Sequence, residues 1–394
     1  MTSPRDAVIV SAVRTPLGSF QGALSPLSAT QLGSAAIRAA IERAQMSADA
    51  IQLTAMGCVL QSGLGQNPAR QAALGAGLHE STPAVTLNKV CGSGMEAVIT
   101  AARAIQLGEI DAAVAGGMES MSNAPYLDKS TRRGARMGHV SLVDAMIHDG
   151  LWDAYSDQHM GLCAEKCASE RGFTRQAQDA FARETTERAQ AAQREGRFTA
   201  EIVPVEVPER KGPPRLVRDD EGPLSARPDK LASLRPAFQK DGTITAGNAS
   251  SISDGAAALV LMSRARAETE GRAILASVTS HAVHAQAPID FTLAPIGASQ
   301  KALDRAHLTT GDIDLFEINE AFCVVTMAAI QALDLDRDKV NVKGGASVLG
   351  HPIGASGARI LVTLIHAMRE TDAQRGLASL CIGGGEGIAM IVER

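Results

Sequence analysis

The feature that most constrains the fold of this 394-residue chain is a structural unit that occurs twice in it. Residues 32–53 and 296–319 resemble each other, and four matched positions within them lie a constant 262 residues apart. The aligned pairs are Ile41 with Leu303, Arg43 with Arg305, Ala44 with Ala306 and Ile51 with Ile313. Further along, Ser93-Gly94 aligns with Ser356-Gly357 at an offset of 263. A register that persists this far favours duplication over a chance similarity of two helices.

Each copy has the pattern of a strand, a helix, a strand, a Gly-rich turn, a long helix and a further strand. This alternation predicts an α/β fold with a mostly parallel sheet covered by helices, built from two similar halves. We expect residues 1–119 plus 248–272 to form the N-terminal half, and 273–394 to form the C-terminal half.

Residues 120–247 break the repeat and form an inserted loop domain rich in charge and proline. We predict a helix from Arg175 to Gly196, with Thr174 as its N-cap. After the insertion, the run GAAALVLMSR predicts a strand that returns to the first half. Insertions at the carboxyl ends of strands usually shape the ligand crevice, so we expect this one to do so.

The overall composition argues against several classes of protein. A net charge of -5, a pI near 6.0 and 3% aromatic residues provide neither a basic face nor stacking platforms for nucleic acid. No apolar run approaches the roughly 18 residues of a membrane span, and the first residues lack a signal-peptide pattern. The six cysteines are scattered, which favours a reducing compartment. We expect a cytoplasmic protein without nucleic-acid or membrane partners.

Cys91 lies between a strand pattern, Val85 to Val90, and a small-residue helix that ends at Gly108. Unpaired backbone N–H groups at a helix start favour a thiolate and can hold a developing oxyanion. Gly92 and Gly94 leave room for an acyl group. The alternative for a lone cysteine here is a small buried hydrophobic residue.

Three other reactive side chains, Asn319, His351 and Cys381, also lie where the pattern predicts strand ends. Strand ends at one edge of an α/β sheet face one crevice, so these distant residues can converge with Cys91. His351 stands between Gly350 and Pro352, and an imidazole with an ordinary pKa near 6.5 can accept the thiol proton. Its alternative is a structural histidine in a Pro-Gly turn.

Cys381 and Asn319 have weaker individual signals. The glycine run 383–387 after Cys381 can form a nest of backbone N–H groups for an oxyanion, although Cys381 can equally be an inert core residue. Asn319 can hold a water or polarise a thioester oxygen, and its alternative is to cap the helix predicted from Ala321 to Leu333.

We expect no metal site. Cys163 and Cys167 lie four apart on a predicted helix without a second pair of ligands, and alternation places His281 and His284 on opposite faces of a strand.

Taken together, these motifs resemble the thiolase family nearly from end to end. The segments that carry the resemblance are VIVSAVRTPLGSF, NKVCGSGMEAV, GGMESMSNAP, AGNAS, EINEAF, GHPIGASGARIL and LCIGGGEGIAM. The resemblance implies a thiolase-like fold of two similar βα halves packed as αβαβα layers. Because the insertion carries His159-Met160-Gly161, the chain is most similar to the short-chain, biosynthetic-type acetyl-CoA C-acetyltransferases.

The resemblance also implies a mechanism. Cys91 takes an acetyl group while His351 withdraws its proton, and Cys381 then deprotonates a second acetyl-CoA for a Claisen condensation to acetoacetyl-CoA. One oxyanion hole consists of His351 and a water held by Asn319, and the other of the N–H groups of Cys91 and Gly383. Coenzyme A is a substrate and product, and no cofactor is expected.

The substrate contacts that the resemblance implies fall in the insertion and just after it, with one in the second half: His159, Met160, Phe238, Ala246, Gly247, Ser250 and Phe322. Met160 is expected to limit acyl length, and Cys323 to alter the acyl pocket slightly. The family's adenine-binding loop often has an arginine after an acidic pair, whereas Gly222 follows Asp220-Glu221 here, so Arg227 is a candidate substitute. A homotetramer with contacts after Met118 is also implied.

Three alternatives to a short-chain enzyme differ in their site residues or substrates. A degradative 3-ketoacyl-CoA thiolase would accept longer chains. A decarboxylating ketoacyl synthase is expected to have histidines in place of Asn319 and Cys381. A non-catalytic acyl-CoA-binding protein would keep the glycines but lose Cys91, His351 or Cys381, all of which are present.

Overall fold

The computed structural model describes residues 3–394. The elements of the first copy, up to the insertion, are β1 (Ala7–Arg14), β2 (Gly18–Ser19), α1 (Ala29–Arg43), β3 (Thr54–Gly57), α2 (Pro68–Gly75), β4 (Ala84–Leu87), α3 (Ser93–Gln106) and β5 (Ala112–Ser120).

The insertion consists of short hairpins and helices. Its elements are β6 (Tyr126–Leu127), β7 (Val143–Asp144), β8 (Trp152–Asp153), β9 (Gln158–His159), α4 (Met160–Arg171), α5 (Arg175–Arg194), β10 (Val205–Val207), β11 (Arg215–Val217) and α6 (Glu221–Ser225). Helix α5 begins as predicted, because the Thr174 hydroxyl accepts a hydrogen bond from the N–H of Ala177 at 3.1 Å. It ends two residues earlier than predicted, before Gly196, which has a positive φ.

The remaining elements return to the first half and build the second. They are β12 (Ser253–Ser263), α7 (Arg264–Thr269), β13 (Ala276–Ala285), α8 (Ala294–Ala306), β14 (Leu315–Ile318), α9 (Cys323–Leu333), α10 (Ala346–Leu349), α11 (Ile353–Thr371), β15 (Arg375–Ile382) and β16 (Glu386–Glu393). Strand β12 lies between β1 and β5, so the chain rejoins the first half directly after the insertion.

The main sheet has the strand order β14-β15-β16-β13-β1-β12-β5-β3-β4, and β2 pairs with the start of β12. Only the outer strands pair in parallel, β3 with β4 and β5, and β14 with β15, whereas the central pairs of this sheet are antiparallel. The prediction of a mostly parallel sheet was therefore wrong. Strands β1 and β12 are buried along their whole length, and this continuous burial gives an antiparallel strand the apolar sequence typical of a parallel one.

The duplication predicted from the sequence is visible as two sets of equivalent elements. Helices α1 and α2 pack on the outer face of the first half, and α8 and α9 on the outer face of the second. Helices α3 and α11 are equivalent in the repeat. They pack against each other between the strands of the first half and those of the second. The layers are thus αβαβα, and the starts of α3 and α11 meet at the centre.

A buried ion-pair cluster attaches the insertion to the core. The guanidinium of Arg14 on β1 lies 2.6 Å from Glu201 and 2.7 Å from Asp220, and all three side chains are fully buried. The neighbouring Glu221 accepts hydrogen bonds from the backbone N–H groups of Ser19 and Ala23, both at 2.8 Å. The acidic pair that the sequence analysis associated with an adenine-binding loop is therefore occupied in holding this loop to the first half.

No helix in residues 3–394 is both long enough and apolar enough to cross a bilayer.

Candidate active site

A cavity of about 550 Å³ opens where the insertion meets the starts of α3 and α11. Its wall includes most of the side chains that the sequence analysis assigned to the site, namely Cys91, His159, Met160, Phe238, Ala246, Ser250, Phe322 and His351. Cys381, Asn319 and Gly383 do not line this cavity, and Gly247 lines the neighbouring one. The structure thus brings Cys91 from the first half and His351 from the second to one surface.

Cys91 lies in a tight turn between β4 and α3. Val90 has a φ of 45°, a conformation that costs a β-branched residue free energy and that the sequence analysis did not foresee. The Ser93 hydroxyl holds this turn together, since it accepts from the N–H of Lys89 at 2.8 Å and donates to the carbonyl of Val90 at 2.6 Å. The strained backbone presents the thiol at the cavity wall.

Burial raises the pKa of the Cys91 thiol to about 11. The backbone N–H groups of Gly383 and of Cys91 itself lower this pKa, and the charge of Glu119 raises it further. The sequence indicated the favourable backbone N–H groups but not the opposing desolvation. Because desolvation outweighs them, the thiol at rest is protonated rather than a thiolate.

His351 stands just after α10, a short helix, and not at the strand end that the sequence predicted. Its N–H donates to the carbonyl of Ser251 at 3.1 Å, and its Nδ1 lies 2.5 Å from the hydroxyl of Ser356. That hydroxyl donates its proton to the carbonyl of Pro352 at 2.8 Å, so its oxygen accepts from Nδ1–H. The network therefore assigns the tautomer in which Nε2 carries the free lone pair.

Burial, with a smaller contribution from the positive charge of Arg359, lowers the pKa of His351 to about 3. The imidazole is therefore neutral at physiological pH. A neutral imidazole with Nε2 unprotonated has the form that a general base needs.

Asn319 follows β14 directly, and its Nδ2 lies 3.5 Å from Nε2 of His351. Its Oδ1 is buried and has no hydrogen-bond partner among residues 3–394. The alternative that Asn319 caps the following helix is wrong, because α9 begins at Cys323 and its N-cap is Phe322. The amide thus lies beside His351 and is not used as a helix cap.

Cys381 lies near the end of β15 with no exposed surface. Burial raises its pKa well above the ordinary range, and the nearby Cys91 adds to this shift. Gly384 and Gly385 have φ values of 92° and 87°, conformations that glycine adopts readily, and they turn the chain into β16. This turn aims the N–H of Gly383 at the Cys91 sulfur.

Aromatic rings form one wall of the cavity. His159 stacks on Phe238 with ring centroids 4.7 Å apart, and Phe238 meets Phe322 edge-on at 6.1 Å. Phe291 extends this row at 6.5 Å from Phe322, and no pattern in the sequence indicated its role. A side-chain carbon at Gly383 would lie 3.3 Å from the Met160 methyl group, so Met160 reaches the thiol end of the cavity.

A second cavity of about 300 Å³ adjoins the first and shares Ser19, Ala246 and Ser251 with it. Arg227, the candidate nucleotide contact, lines this second cavity together with Lys230. The expectation for Cys323 was wrong. Its side chain packs behind the site with Phe181 and lines neither cavity, because α9 turns that face toward α5.

Within residues 3–394, no three His, Cys, Asp or Glu side chains cluster closely enough to hold a metal ion. Cys163 and Cys167 lie on α4 and pack into the apolar cluster around Met160.

Comparison with known proteins places the chain among close relatives. The family profile described as "Thiolase, N-terminal domain" matches residues 7–265, and "Thiolase, C-terminal domain" matches residues 272–394. The acetyl-CoA acetyltransferase of Cupriavidus necator is 52% identical over 390 residues, which is 99% of each chain. That of Escherichia coli K12 is 52% identical over 391 residues, again 99% of each.

The similarity extends to a plant protein and to a solved structure. Acetyl-CoA acetyltransferase 2 of Arabidopsis thaliana is 51% identical over 393 residues, covering 99% of this chain and 98% of the relative. The crystal structure of Acat5 thiolase from Ascaris suum in complex with coenzyme A superposes with a TM-score of 0.94 at 46% identity. It covers 99% of this chain and 100% of that one.

Proposed function

This chain belongs to the thiolase family of acyltransferases, and from that premise we propose that it is an acetyl-CoA C-acetyltransferase. In the proposed reaction two acetyl-CoA molecules condense reversibly to acetoacetyl-CoA and CoA through an acyl-thioester on Cys91. The observation that carries the proposal is the shared cavity wall, which a thiol from one half and a neutral imidazole from the other both line.

In the first half-reaction His351 Nε2 takes the proton of the Cys91 thiol, and the thiolate attacks the carbonyl carbon of acetyl-CoA. The bond between that carbon and the CoA sulfur then breaks. The leaving thiolate needs a proton, and we assign its supply to Cys381, whose thiol is near enough to Cys91 for their charges to interact. This step leaves Cys91 acetylated, His351 protonated and Cys381 as a thiolate.

In the second half-reaction the Cys381 thiolate removes a methyl proton from another acetyl-CoA. The resulting carbanion attacks the acetyl carbon on Cys91 and forms the new carbon–carbon bond. As the bond from that carbon to the Cys91 sulfur breaks, Cys91 recovers its proton from His351. All three groups return to their starting protonation states, which explains why the chemistry needs two thiols and one imidazole.

Two groups of donors can stabilise the negative oxygens of this sequence. The N–H groups of Cys91 and Gly383 already face the Cys91 sulfur, where the tetrahedral intermediate forms. His351, together with a water held by Asn319, is proposed to serve the thioester oxygen from which the carbanion develops. The unpartnered Oδ1 of Asn319 supports this assignment, because it offers an acceptor to such a water.

Short-chain specificity is proposed from the cavity wall. Met160 reaches the thiol end, where the carbon chain of a longer acyl group would extend. The proposed contacts of the pantetheine arm are His159, Phe238, Ala246, Gly247, Ser250 and Phe322, and the cavity with Arg227 would take the nucleotide. The alternative is a degradative 3-ketoacyl-CoA thiolase with the same catalytic groups and a broader chain-length range.

We also propose a cytoplasmic homotetramer that uses CoA only as substrate and product. The insertion exposes several large apolar side chains that contact with other copies would cover, namely Tyr126, Met137, Leu142 and Tyr155. All six cysteines are free, which suits a reducing compartment.

The test is CoA-dependent cleavage of a 3-ketoacyl-CoA series from four carbons upward. Cleavage is measured as the loss of absorbance from the enolate of the substrate. Activity confined to acetoacetyl-CoA supports the short-chain assignment. Comparable rates on longer chains would transfer the assignment to a degradative thiolase, and no cleavage at any length would overturn both.

A further inference from the structure

Glu119 is a fully buried carboxylate at the end of β5 that lines no part of the acyl cavity. Oε2 accepts from the N–H groups of Val59 at 3.0 Å and Gly354 at 2.9 Å. Oε1 accepts from the N–H of Leu60 at 3.2 Å and from the Cys58 thiol at 3.7 Å. Each oxygen therefore has two donors, so the site is built for a carboxylate.

These donors come from two different halves of the molecule. Cys58, Val59 and Leu60 follow β3 in the first half, whereas Gly354 lies in the first turn of α11 in the second. Gly354 is three residues after His351, and its N–H is one of the groups that a helix start leaves unpaired. Glu119 thus ties the turn that carries His351 to the half that carries Cys91.

The carbonyl of Gly354 makes a second, independent contact between the halves. It packs so tightly on glycines of the first half that an added side-chain carbon would lie 2.6 Å from it at Gly57 and 2.1 Å at Gly117. The start of α11 is therefore held from its carbonyl side by shape and from its N–H side by Glu119. Ser356, which orients the imidazole, lies on the same turn and cannot fix that turn against the first half.

We propose that Glu119 is a positioning residue that sets the distance between His351 and Cys91 by clamping the α11 start to the loop after β3. This inference rests on the proposed function, since it assigns a role in the same proton transfer. Glu119 acts through His351 and does not touch the substrate.

The chemistry of glutamine makes Glu119→Gln the appropriate variant. Its side-chain NH₂ replaces one carboxylate oxygen and faces two donors, either Val59 and Gly354 or Leu60 and Cys58. With the NH₂ toward Val59 and Gly354, the α11 start is released; with the NH₂ toward Leu60 and Cys58, the loop after β3 keeps only its bond from Val59. The clamp is loosened in either orientation. Misplacing a catalytic group by about 1 Å costs on the order of 10²-fold in rate, so we expect kcat to fall by about 100-fold. KM for acetoacetyl-CoA should change by less than about 3-fold, because the cavity wall is intact.

Asp254→Asn is the matched control. Asp254 is a buried carboxylate on the neighbouring strand β12 and accepts from the N–H of Ser122 at 2.9 Å, but within residues 3–394 its side chain makes no hydrogen bond to α11. We expect this variant to keep kcat within about 3-fold of the wild type, since it leaves the clamp in place. Glu119→Asp is a second test in case the glutamine variant does not fold, and its loss should likewise fall on kcat.

Alkylation of Cys91 by iodoacetamide needs no acyl-CoA, so it distinguishes a failure of the proposed clamp from a failure of the proposed function. The clamp predicts slower alkylation in Glu119→Gln, because displacing the base from the thiol outweighs the small fall in the Cys91 pKa that loss of the Glu119 charge causes. If Glu119 acted only by its charge, its loss would lower the pKa of Cys91 and speed alkylation. Faster alkylation in Glu119→Gln, or an unchanged kcat, would overturn the proposal. A wild-type protein that is alkylated but cleaves no acetoacetyl-CoA would refute the proposed function alone.

Discussion

The turn before α3 and the turn before α11 are equivalent in the repeat. A serine occupies the aligned position in each, Ser93 and Ser356, but the two hydroxyls make different hydrogen bonds. In the first half the Ser93 hydroxyl bonds only to backbone, to the N–H of Lys89 and the carbonyl of Val90. In the second half the Ser356 hydroxyl donates to the carbonyl of Pro352 but accepts from His351. One turn thereby presents a thiol, and the other fixes the tautomer of an imidazole.

This difference shows how a duplicated scaffold acquires two chemical roles. Both serines donate to a backbone carbonyl next to the start of a helix, so each hydroxyl helps to hold the backbone of its turn in place. The reactive residue differs in kind and in place, because Cys91 lies two residues before Ser93 whereas His351 lies five residues before Ser356. The two helices pack together, and the acid–base partners therefore meet across the boundary between the halves.

The largest effect should come from removing the chemistry of the first turn. Cys91→Ala deletes the group that carries the acyl intermediate, so we expect thiolysis and condensation both to fall by at least about 10⁴-fold. Cleavage of acetoacetyl-CoA measures one direction and CoA release from acetyl-CoA the other. Cys323→Ala is the control, since that thiol packs behind the site, and it should remain near wild-type rates. Retained turnover in Cys91→Ala would show that the thiol of the first turn is not the nucleophile.

A more selective loss is expected from Cys381→Ala, which leaves both turns intact. Condensation and thiolysis should fall by about 10³-fold, because the carbanion step loses its base. Exchange of labelled CoA into acetyl-CoA requires only the first half-reaction, and we expect part of it to persist. A Cys381→Ala enzyme that still condenses acetyl-CoA efficiently would show that another group is the base.

The serine comparison itself predicts unequal results for the same substitution. Ser356→Ala frees the imidazole to adopt the wrong tautomer, so we expect kcat to fall by about 10- to 100-fold. Ser93→Ala removes only backbone hydrogen bonds, which should lower the free energy of unfolding by about 1 kcal/mol and change kcat by less than about 5-fold. Steady-state kinetics and thermal unfolding of both variants measure these effects. Equal losses of kcat would erase the distinction between the turns.

The pH dependence of Cys91 alkylation reports the charge state across the two turns. Burial raises the pKa of Cys91 to about 11 and lowers that of His351 to about 3, so the resting pair is neutral at pH 7. The reactive thiolate fraction then grows as pH rises, and the rate should increase by up to about 10-fold per pH unit up to roughly pH 10. Cys91→Ala provides the background from other thiols. A plateau already reached near pH 6 would instead indicate a thiolate–imidazolium pair at rest.

The smallest expected effect lies outside both turns, at Met160 in the insertion. Met160→Ala would open the thiol end of the cavity and raise the six-carbon to four-carbon ratio of kcat/KM by about 10-fold, since one or two methylenes carry about that discrimination. The chain-length series measures it. Phe291→Leu is a control at the far end of the aromatic row, and an unchanged ratio in Met160→Ala would mean that another residue limits acyl length.

Much of this site could be predicted from sequence because its reactive residues occur in Gly-rich segments with few alternative conformations. The repeat indicated that Cys91 and His351 each precede the start of corresponding helices, and the structure places both on one cavity wall. The tautomer set by Ser356 could not be predicted, since it depends on which carbonyl receives the hydroxyl proton. The positive φ of Val90 could not be predicted either. It depends on contacts across the turn, and a β-branched residue does not indicate a left-handed conformation.

The direction of the strands and the charge of the thiol were the main misjudged properties. Full burial gave β1 and β12 apolar sequences that do not distinguish parallel from antiparallel pairing. Backbone N–H groups do lower the pKa of Cys91, but the larger effect, desolvation, depends on how the second half and the insertion enclose the thiol. Both properties are set by distant segments, whereas sequence patterns report mainly local structure.

The most direct test of the central claim, that the two turns form one acyl-transfer site with Cys91 as the nucleophile, is to locate the acyl group. The protein is mixed briefly with acetyl-CoA, quenched in acid, digested and examined by mass spectrometry. The account predicts acetylation of the peptide containing Cys91 in the wild type and in Cys381→Ala, with much slower labelling in a His351→Asn variant. Acetylation found on Cys381, or labelling of Cys91 that is unaffected by the loss of His351, would contradict it.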